Sequence, residues 1–136
     1  MTRSQARKNA FSILFQQPIN DFTKDEISEI AESFDLELDE FAYSLIVYTI
    51  DNLDEFDNNI LSCLSSGWKI NRIGKASLSI LRLSCAQMKF FADIPTAAII
   101  NEAVELSKEF GDAKDYSFVN GILRSLSSIY RKEAEA

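Results

Sequence analysis

The sequence predicts an all-α protein, a single-domain helical bundle of six or seven helices over residues 1–136. Apolar residues recur at spacings of three and four throughout the chain, which is the period of one face of an α-helix. Only four glycines and two prolines interrupt this pattern, and no internal repeat or low-complexity linker divides it. With 136 residues and 46% hydrophobic content, the chain is long enough to bury the core of one domain.

The N-terminal third predicts two helices. The first covers residues 4–17 and stops at Pro18, because proline cannot continue a helix. Thr23 and Glu26 have the spacing of a capping box, in which the side chain of each residue accepts the backbone N–H of the other. This motif predicts the start of a short amphipathic helix over residues 23–33.

The middle of the chain predicts two further helical blocks. Residues 39–65 carry apolar side chains at helical spacing, and Gly67 ends this block. Residues 75–91 form the most apolar predicted helix. We therefore expect the helix over residues 75–91 to lie deepest in the bundle.

Two helices complete the predicted bundle. Pro95 suits a first helical turn, where its missing N–H would have no partner, and Gly111 follows the last periodic residue, where a left-handed cap costs least. The last helix covers residues 115–131. Gly121 inside it costs ~1 kcal/mol relative to alanine, so we expect another helix to approach it closely.

Charge is distributed unevenly along the chain. The net charge of −7 argues against a general nucleic-acid binder. Residues 1–17 nevertheless carry three basic residues and no acid, whereas residues 18–65 carry thirteen acids and one lysine. Since exposed charges more than about 8 Å apart are largely screened from one another, the basic first helix can still attract a polyanion.

The residue types expected at a catalytic centre are missing. The chain has no histidine, no glycine-rich phosphate loop and no metal-ligand spacing, and its scattered carboxylates are interpreted as solvated helix faces. We therefore predict that it is not an enzyme and holds no metal or cofactor. Cys63 and Cys85 are interpreted as reduced core thiols. No run approaches the ~18 apolar residues of a membrane span and residues 1–10 do not resemble a signal peptide, so we expect a cytoplasmic protein without a membrane partner.

The first helix combines an apolar side with a polar one. At about 100° per residue, Lys8 and Phe15 fall on the polar side, while Arg7 borders the apolar stripe. An aromatic ring beside a lysine is a platform on which an unpaired base can stack, with Arg3, Arg7 and Lys8 holding phosphates. The alternative, which stays open from the pattern alone, is that another helix covers Phe15 and that the basic residues form a solvated first turn. The apolar side comprises Ala6, Ala10, Ile13 and Leu14, with Phe11 at its edge.

Three blocks of sequence resemble the NusB family of bacterial transcription antitermination factors. The blocks are Ala-Arg-Lys-Asn-Ala at 6–10 with Leu-Phe at 14–15, Arg-Ile-Gly-Lys at 72–75 with Ile-Leu-Arg-Leu at 80–83, and Ile-Asn-Glu-Ala at 100–103 with Phe-Val-Asn-Gly at 118–121. Their order over one domain-length chain makes the match specific. Within the last block, we expect Asn101 and Asn120 to bond backbone or each other in the core.

The resemblance implies a function and a set of partners. Members of the family bind the single-stranded boxA element of ribosomal RNA transcripts together with the ribosomal protein NusE, and the pair joins RNA polymerase and other Nus factors in antitermination. Some relatives form homodimers that cover the RNA surface, and the sequence leaves a homodimer of this chain open.

The resemblance also implies which residues bind RNA. Two groups are expected to form one surface, the first from the leading helix and the second from the start of the last helix. These groups are Arg3, Gln5, Arg7, Lys8 and Phe15, and Lys114, Ser117 and Phe118. Ser4 and Gln5 interrupt the arginine run of the family, so we expect weak RNA binding without NusE.

Three alternatives compete with this interpretation. The first is a protein–protein adaptor of the same fold that has lost most of its RNA affinity. The second is the N-terminal domain of an RNA cytosine methyltransferase, which requires the chain to be a fragment. The third is a small enzyme with two carboxyl groups converging in a pocket.

Overall fold

The computed structural model describes residues 1–65, 67, 69–111 and 115–131, except for the side chain of Asn20. Over these ranges it contains seven α-helices, three 3₁₀ turns and no strand, which confirms the predicted all-α fold. The turns are Ile19–Asp21, Lys24–Glu26 and Ile70–Arg72. The helices are α1 (Arg3–Gln16), α2 (Ile27–Ser33), α3 (Glu40–Asp51), α4 (Leu53–Ser62), α5 (Lys75–Phe90), α6 (Thr96–Phe110) and α7 (Asp115–Tyr130).

Helix α5 lies at the centre of the bundle, as its composition predicts. It packs against α1, α3, α4, α6 and α7, and eleven of its sixteen residues are buried. Several of the buried residues are small, which lets neighbouring helices approach closely. The hydroxyls of Ser79 and Ser84 donate to the carbonyls of Lys75 and Ile80 one turn earlier, so these polar groups are satisfied inside the core.

Helix α1 buries the side that its periodicity predicts. The Thr2 hydroxyl caps its first turn by accepting the Gln5 N–H at 3.1 Å, and the helix ends just before Pro18. Its predicted apolar residues are at most 5% exposed, and Phe11 is fully buried with them. The rest of the core comes from α3 to α7, with Ile27 and Ala31 of α2 and with Phe22, Ile73 and Ile94 between the helices.

Helix α6 begins and ends near the predicted residues, but it does not end in the left-handed cap that the sequence predicts. Pro95 directly precedes the helix, and its carbonyl accepts the N–H groups of Ala98 and Ile99. The expected left-handed cap at Gly111 is wrong, because this residue is extended, with φ −96° and ψ 179°. A Cβ at Gly111 would instead lie 2.9 Å from both the Asp115 carboxylate and the Ser107 carbonyl, so the turn into α7 leaves no room for a side chain.

Two structural expectations for the C-terminal signature are also wrong. Gly121 faces open space, and a Cβ built there would meet no atom within 4 Å, so no other helix of the described chain requires this glycine. Asn101 is exposed rather than buried. Asn120 is half-buried and lines a groove between α6 and α7 together with Asn101.

The two cysteines are free thiols, as expected. Cys85 is fully buried in α5 and Cys63 is half-buried after α4. Burial raises the pKa of both thiols, which keeps them protonated at neutral pH. Among the described residues, no helix is long and apolar enough to cross a membrane, and no cluster of three or more His, Cys, Asp or Glu side chains forms a metal site.

A buried arginine at the end of α7 closes the bundle. Arg131 is 8% exposed, and its guanidinium donates hydrogen bonds to four backbone carbonyls at the end of α5 and in the following turn. The last carbonyls of an α-helix have no partner within the helix. Arg131 supplies the donor for Met88 and Ile94, whereas the carbonyls of Gln87 and Phe91 also accept backbone N–H groups. The acceptors are the carbonyls of Gln87, Met88, Phe91 and Ile94, at 2.8–3.2 Å.

Arg131→Ala should lower the free energy of unfolding by about 3 kcal/mol or more, because it removes a buried guanidinium and leaves the carbonyls of Met88 and Ile94 without a donor. Arg131→Lys should recover only part of the loss, since an ammonium lacks the planar fork of donors. Arg124→Ala, an exposed arginine on the same helix, is the matched control and should change stability by less than about 0.5 kcal/mol. Urea unfolding measures all three, and similar losses for Arg124→Ala and Arg131→Ala would contradict the role of Arg131.

Gly121→Ala should raise the free energy of unfolding by about 0.5–1 kcal/mol. The helical backbone at this position accepts alanine, and the added methyl group meets no atom within 4 Å. Thermal and urea unfolding measure the gain. A loss of stability would mean that the surroundings of Gly121 are tighter than the structure shows.

Candidate nucleic-acid interface

The first turns of α1 place several predicted RNA-binding residues on the surface. Arg3 is exposed and its guanidinium lies 4.0 Å from the centroid of the Phe41 ring, a cation–π contact that holds the charge in place. Gln5 is exposed, and its amide donates to the Asn9 side chain at 2.9 Å. Asn9 in turn donates to the Glu37 carbonyl, which ties α1 to the segment before α3.

Lys8 lies where α1 meets α6. Its ammonium is 2.7 Å from the Glu109 carboxylate and 5.7 Å from the Phe110 ring centroid. The lysine side chain is 41% exposed and the glutamate side chain 51% exposed. An ion pair this exposed contributes at most about 1 kcal/mol, so a phosphate can compete with Glu109 for the lysine.

Arg7 differs from the other basic residues because it is buried. Its side chain is 8% exposed, its Nε donates to the Gln87 side-chain carbonyl at 2.7 Å, and its Nη1 lies 3.7 Å from the Glu102 carboxylate. Burial lowers the pKa of Arg7, and the negative charge of Glu102 offsets part of that effect. The geometry gives this predicted phosphate ligand a structural role that joins α1, α5 and α6.

Phe15 is partly covered by the core and partly accessible, so each of the two alternatives for its ring applies in part. It is half-buried, and its ring stacks on Phe11 with centroids 5.4 Å apart and planes at 12°. The Phe110 ring lies 6.4 Å away. The ammonium of Lys75 lies 5.6 Å from the Phe15 centroid. The core therefore covers part of the ring, while the rest of it is accessible beside a cation.

Lys75 is a candidate residue that the sequence interpretation missed. It is exposed at the start of α5, and the fold brings it to Phe15, sixty positions earlier in the chain. A signal was present, since Lys75 ends the Arg-Ile-Gly-Lys block of the family resemblance. The sequence alone does not place this block on the RNA surface, because its distance from Phe15 depends on the packing of α1 on α5.

The second predicted group lies at the start of α7. Ser117 is exposed and Phe118 is half-buried, and both line a groove of about 350 Å³ beside Gly121. Lys114 lies outside the described residues. Helix α6 connects the two groups, because it meets α1 through Glu102, Glu109 and Phe110 and packs against α7.

The family model for the NusB family matches residues 4–128, which is most of the chain. The chain belongs to the NusB family. It is 36% identical over 138 residues to the transcription antitermination protein NusB of Natranaerobius thermophilus, covering 97% of this chain and 99% of that protein. It is 38% identical over 128 residues to the NusB of Bacillus licheniformis, covering 94% and 98% of the two chains. Family membership confirms the prediction that the chain is not an enzyme.

Solved structures of the NusB family have the same architecture. The NusB of T. maritima superposes with a TM-score of 0.83 at 29% identity, covering 98% of this chain and 96% of that one. A chain in the crystal structure of antitermination factors NusB and NusE in complex with dsRNA superposes with a TM-score of 0.80 at 27% identity. The match covers 94% of this chain and 97% of that chain.

Arg7→Ala should lower the free energy of unfolding by about 2 kcal/mol, because it leaves Gln87 and Glu102 without their buried partner. Lys8→Ala should change stability by less than about 1 kcal/mol, since it removes only an exposed ion pair. Urea unfolding of the two variants makes the comparison. Equal losses would show that Arg7 is not a structural residue.

Proposed function

We propose that this chain is a transcription antitermination factor that binds boxA-type single-stranded RNA of ribosomal RNA transcripts together with the ribosomal protein NusE. The observation that carries the proposal is the NusB-family match over residues 4–128, with the signature blocks at both ends and in the middle of the chain. The solved complex of NusB and NusE with dsRNA supports both kinds of partner, because one of its chains matches this one over almost its full length.

The α1 surface has the chemistry that single-stranded RNA requires. Arg3 and Lys8 supply exposed positive charge for phosphates. The accessible part of Phe15 beside Lys75 supplies an aromatic contact for a base. Cations that follow the backbone and aromatic rings that meet splayed bases are the usual elements of single-strand recognition.

Few cations remain available on this surface, so we expect RNA affinity to depend on NusE. Arg7 is directed at Gln87 and Glu102, and Lys8 must exchange Glu109 for a phosphate. Fewer phosphate contacts mean weaker binding by the chain alone. NusE would add contacts to the same RNA and deliver the pair to RNA polymerase through other Nus factors. This role belongs in the cytoplasm, and a homodimer that covers the α1 surface would compete with it.

The same contacts favour one alternative function. A protein–protein adaptor of the NusB fold with little RNA affinity is consistent with a buried Arg7, a Lys8 paired to Glu109 and a net charge of −7. The two functions differ in one measurable quantity, which is the affinity for boxA-type RNA in the presence of NusE.

Lys8→Ala should weaken binding of a labelled boxA-type RNA and reduce the dependence of log K on log salt by about 0.7 for the lost phosphate contact. Arg3→Ala with Lys8→Ala should reduce this slope by about 1.4. Fluorescence anisotropy at several salt concentrations, with and without NusE, measures affinity and slope.

Lys24→Ala is the matched control for Lys8→Ala. Lys24 also forms one exposed ion pair, at 2.9 Å to Asp51, but it belongs to the acidic part of the chain. RNA binding by the Lys24 variant should equal that of the unmodified protein. If neither Lys8→Ala nor the Arg3→Ala and Lys8→Ala double variant changes the salt slope, α1 is not the RNA surface. If the unmodified protein with NusE does not bind boxA-type RNA, the adaptor function holds instead.

A further inference from the structure

A polar groove of about 420 Å³ runs between α6 and α7. Its walls carry an aromatic ring, two amides, two cations and one carboxylate. Ser117, from the proposed RNA surface, also lines it. The groove is lined by Asn101, Val104, Glu105, Lys108, Tyr116, Ser117, Asn120 and Arg124.

Tyr116 gives this groove an aromatic surface that the core does not use. Tyr116 is 44% exposed. The other large apolar residues of α7, apart from Ile129, are buried or half-buried. The ammonium of Lys108 lies 5.4 Å from the centroid of the Tyr116 ring. A tyrosine left on the surface beside a cation can stack an unpaired base without disturbing the packing of α7.

The amides and Arg124 are also available to a ligand. Over the ranges that the structure describes, the side chains of Asn101, Asn120 and Arg124 form no hydrogen bond or ion pair. An amide offers both a donor and an acceptor, which is the pattern presented by the edges of nucleic-acid bases. A guanidinium binds phosphate through two parallel hydrogen bonds.

The groove continues the proposed RNA surface across α6. Lys8 on α1 pairs with Glu109 on α6, and the preceding residue of α6, Lys108, reaches Tyr116 on α7. A strand that lies over Lys8 therefore meets the groove by crossing one helix. This continuity favours RNA over a protein segment as the ligand.

We propose that the α6–α7 groove holds one unpaired nucleotide of the bound RNA, an inference that rests on the RNA-binding function proposed above. The base stacks on Tyr116 and its edge bonds to Asn101 and Asn120. The adjoining phosphates face Lys108 and Arg124. Glu105, which lies 3.7 Å from the Lys108 ammonium, opposes the phosphates and limits the affinity of this site.

The test combines protein variants with abasic RNA. The probe is a fluorescein-labelled single-stranded RNA with a boxA-type sequence, and a set of copies each lacks one base. Tyr116→Ala should weaken binding about five-fold or more, the loss expected for one stacked base, while Tyr116→Phe should bind like the unmodified protein. One abasic RNA should show the same loss, and combining it with Tyr116→Ala should add no further loss, because both changes remove one contact.

Matched variants separate this site from a general surface effect. Tyr43→Ala removes a tyrosine of similar exposure, 39%, from the acidic side of α3 and should leave RNA binding unchanged. Glu105→Gln should strengthen binding, because it removes the carboxylate that opposes the phosphates. An equal loss for Tyr43→Ala and Tyr116→Ala, or additive losses with every abasic RNA, would overturn the proposal.

The outcomes also distinguish this proposal from the function on which it rests. If Lys8→Ala weakens RNA binding and Tyr116→Ala does not, the RNA function stands and the groove is not a nucleotide site. If the unmodified protein with NusE does not bind the RNA, both fail together. If Tyr116→Ala weakens binding of NusE and leaves RNA binding by the chain alone unchanged, the groove is a protein interface and the nucleotide proposal is wrong.

Discussion

Two buried guanidiniums that meet at the carboxyl end of α5 hold the bundle together. Arg7, near the start of the chain, donates to the Gln87 side chain, and Arg131, at the end of α7, donates to the Gln87 backbone carbonyl and its neighbours. A buried charge is costly unless its donors are satisfied, so both helices can occupy only the positions that supply these acceptors. The first and last helices are thereby fixed to the same turn of the central helix.

This arrangement determines which charges remain for the proposed RNA surface. Because Arg7 is directed inward, the α1 surface depends on Arg3 and Lys8 and on the ring of Phe15 beside Lys75. The acids of residues 18–65 dominate the net charge. A basic surface on one edge of an acidic protein attracts a polyanion only locally, which fits the proposal that this chain binds RNA together with NusE.

Most expectations that depend on neighbouring residues agree with the structure, although the left-handed cap at Gly111 does not, and several that depend on distant residues are wrong. The helices over residues 4–17, 75–91 and 115–131 lie within a residue or two of their predicted bounds. Gly121, by contrast, was expected at a close helix contact and faces open space. The sequence pattern shows that Gly121 lies inside a helix. It does not show which other helix, if any, packs against that position.

The sequence by itself determined the all-α class, most helix ends, the buried side of α1, the uneven charge and the NusB family. Each of these follows from local composition, from the 3.6-residue period, from capping residues or from short motifs, all of which are encoded in residues close together in the chain. Only the tertiary structure decided that Arg7 is buried, that Lys75 accompanies Phe15 and that Asn101 shares an open groove with Asn120. Those outcomes depend on contacts such as Arg7 to Gln87, between residues eighty positions apart, and helix packing alone brings such residues together.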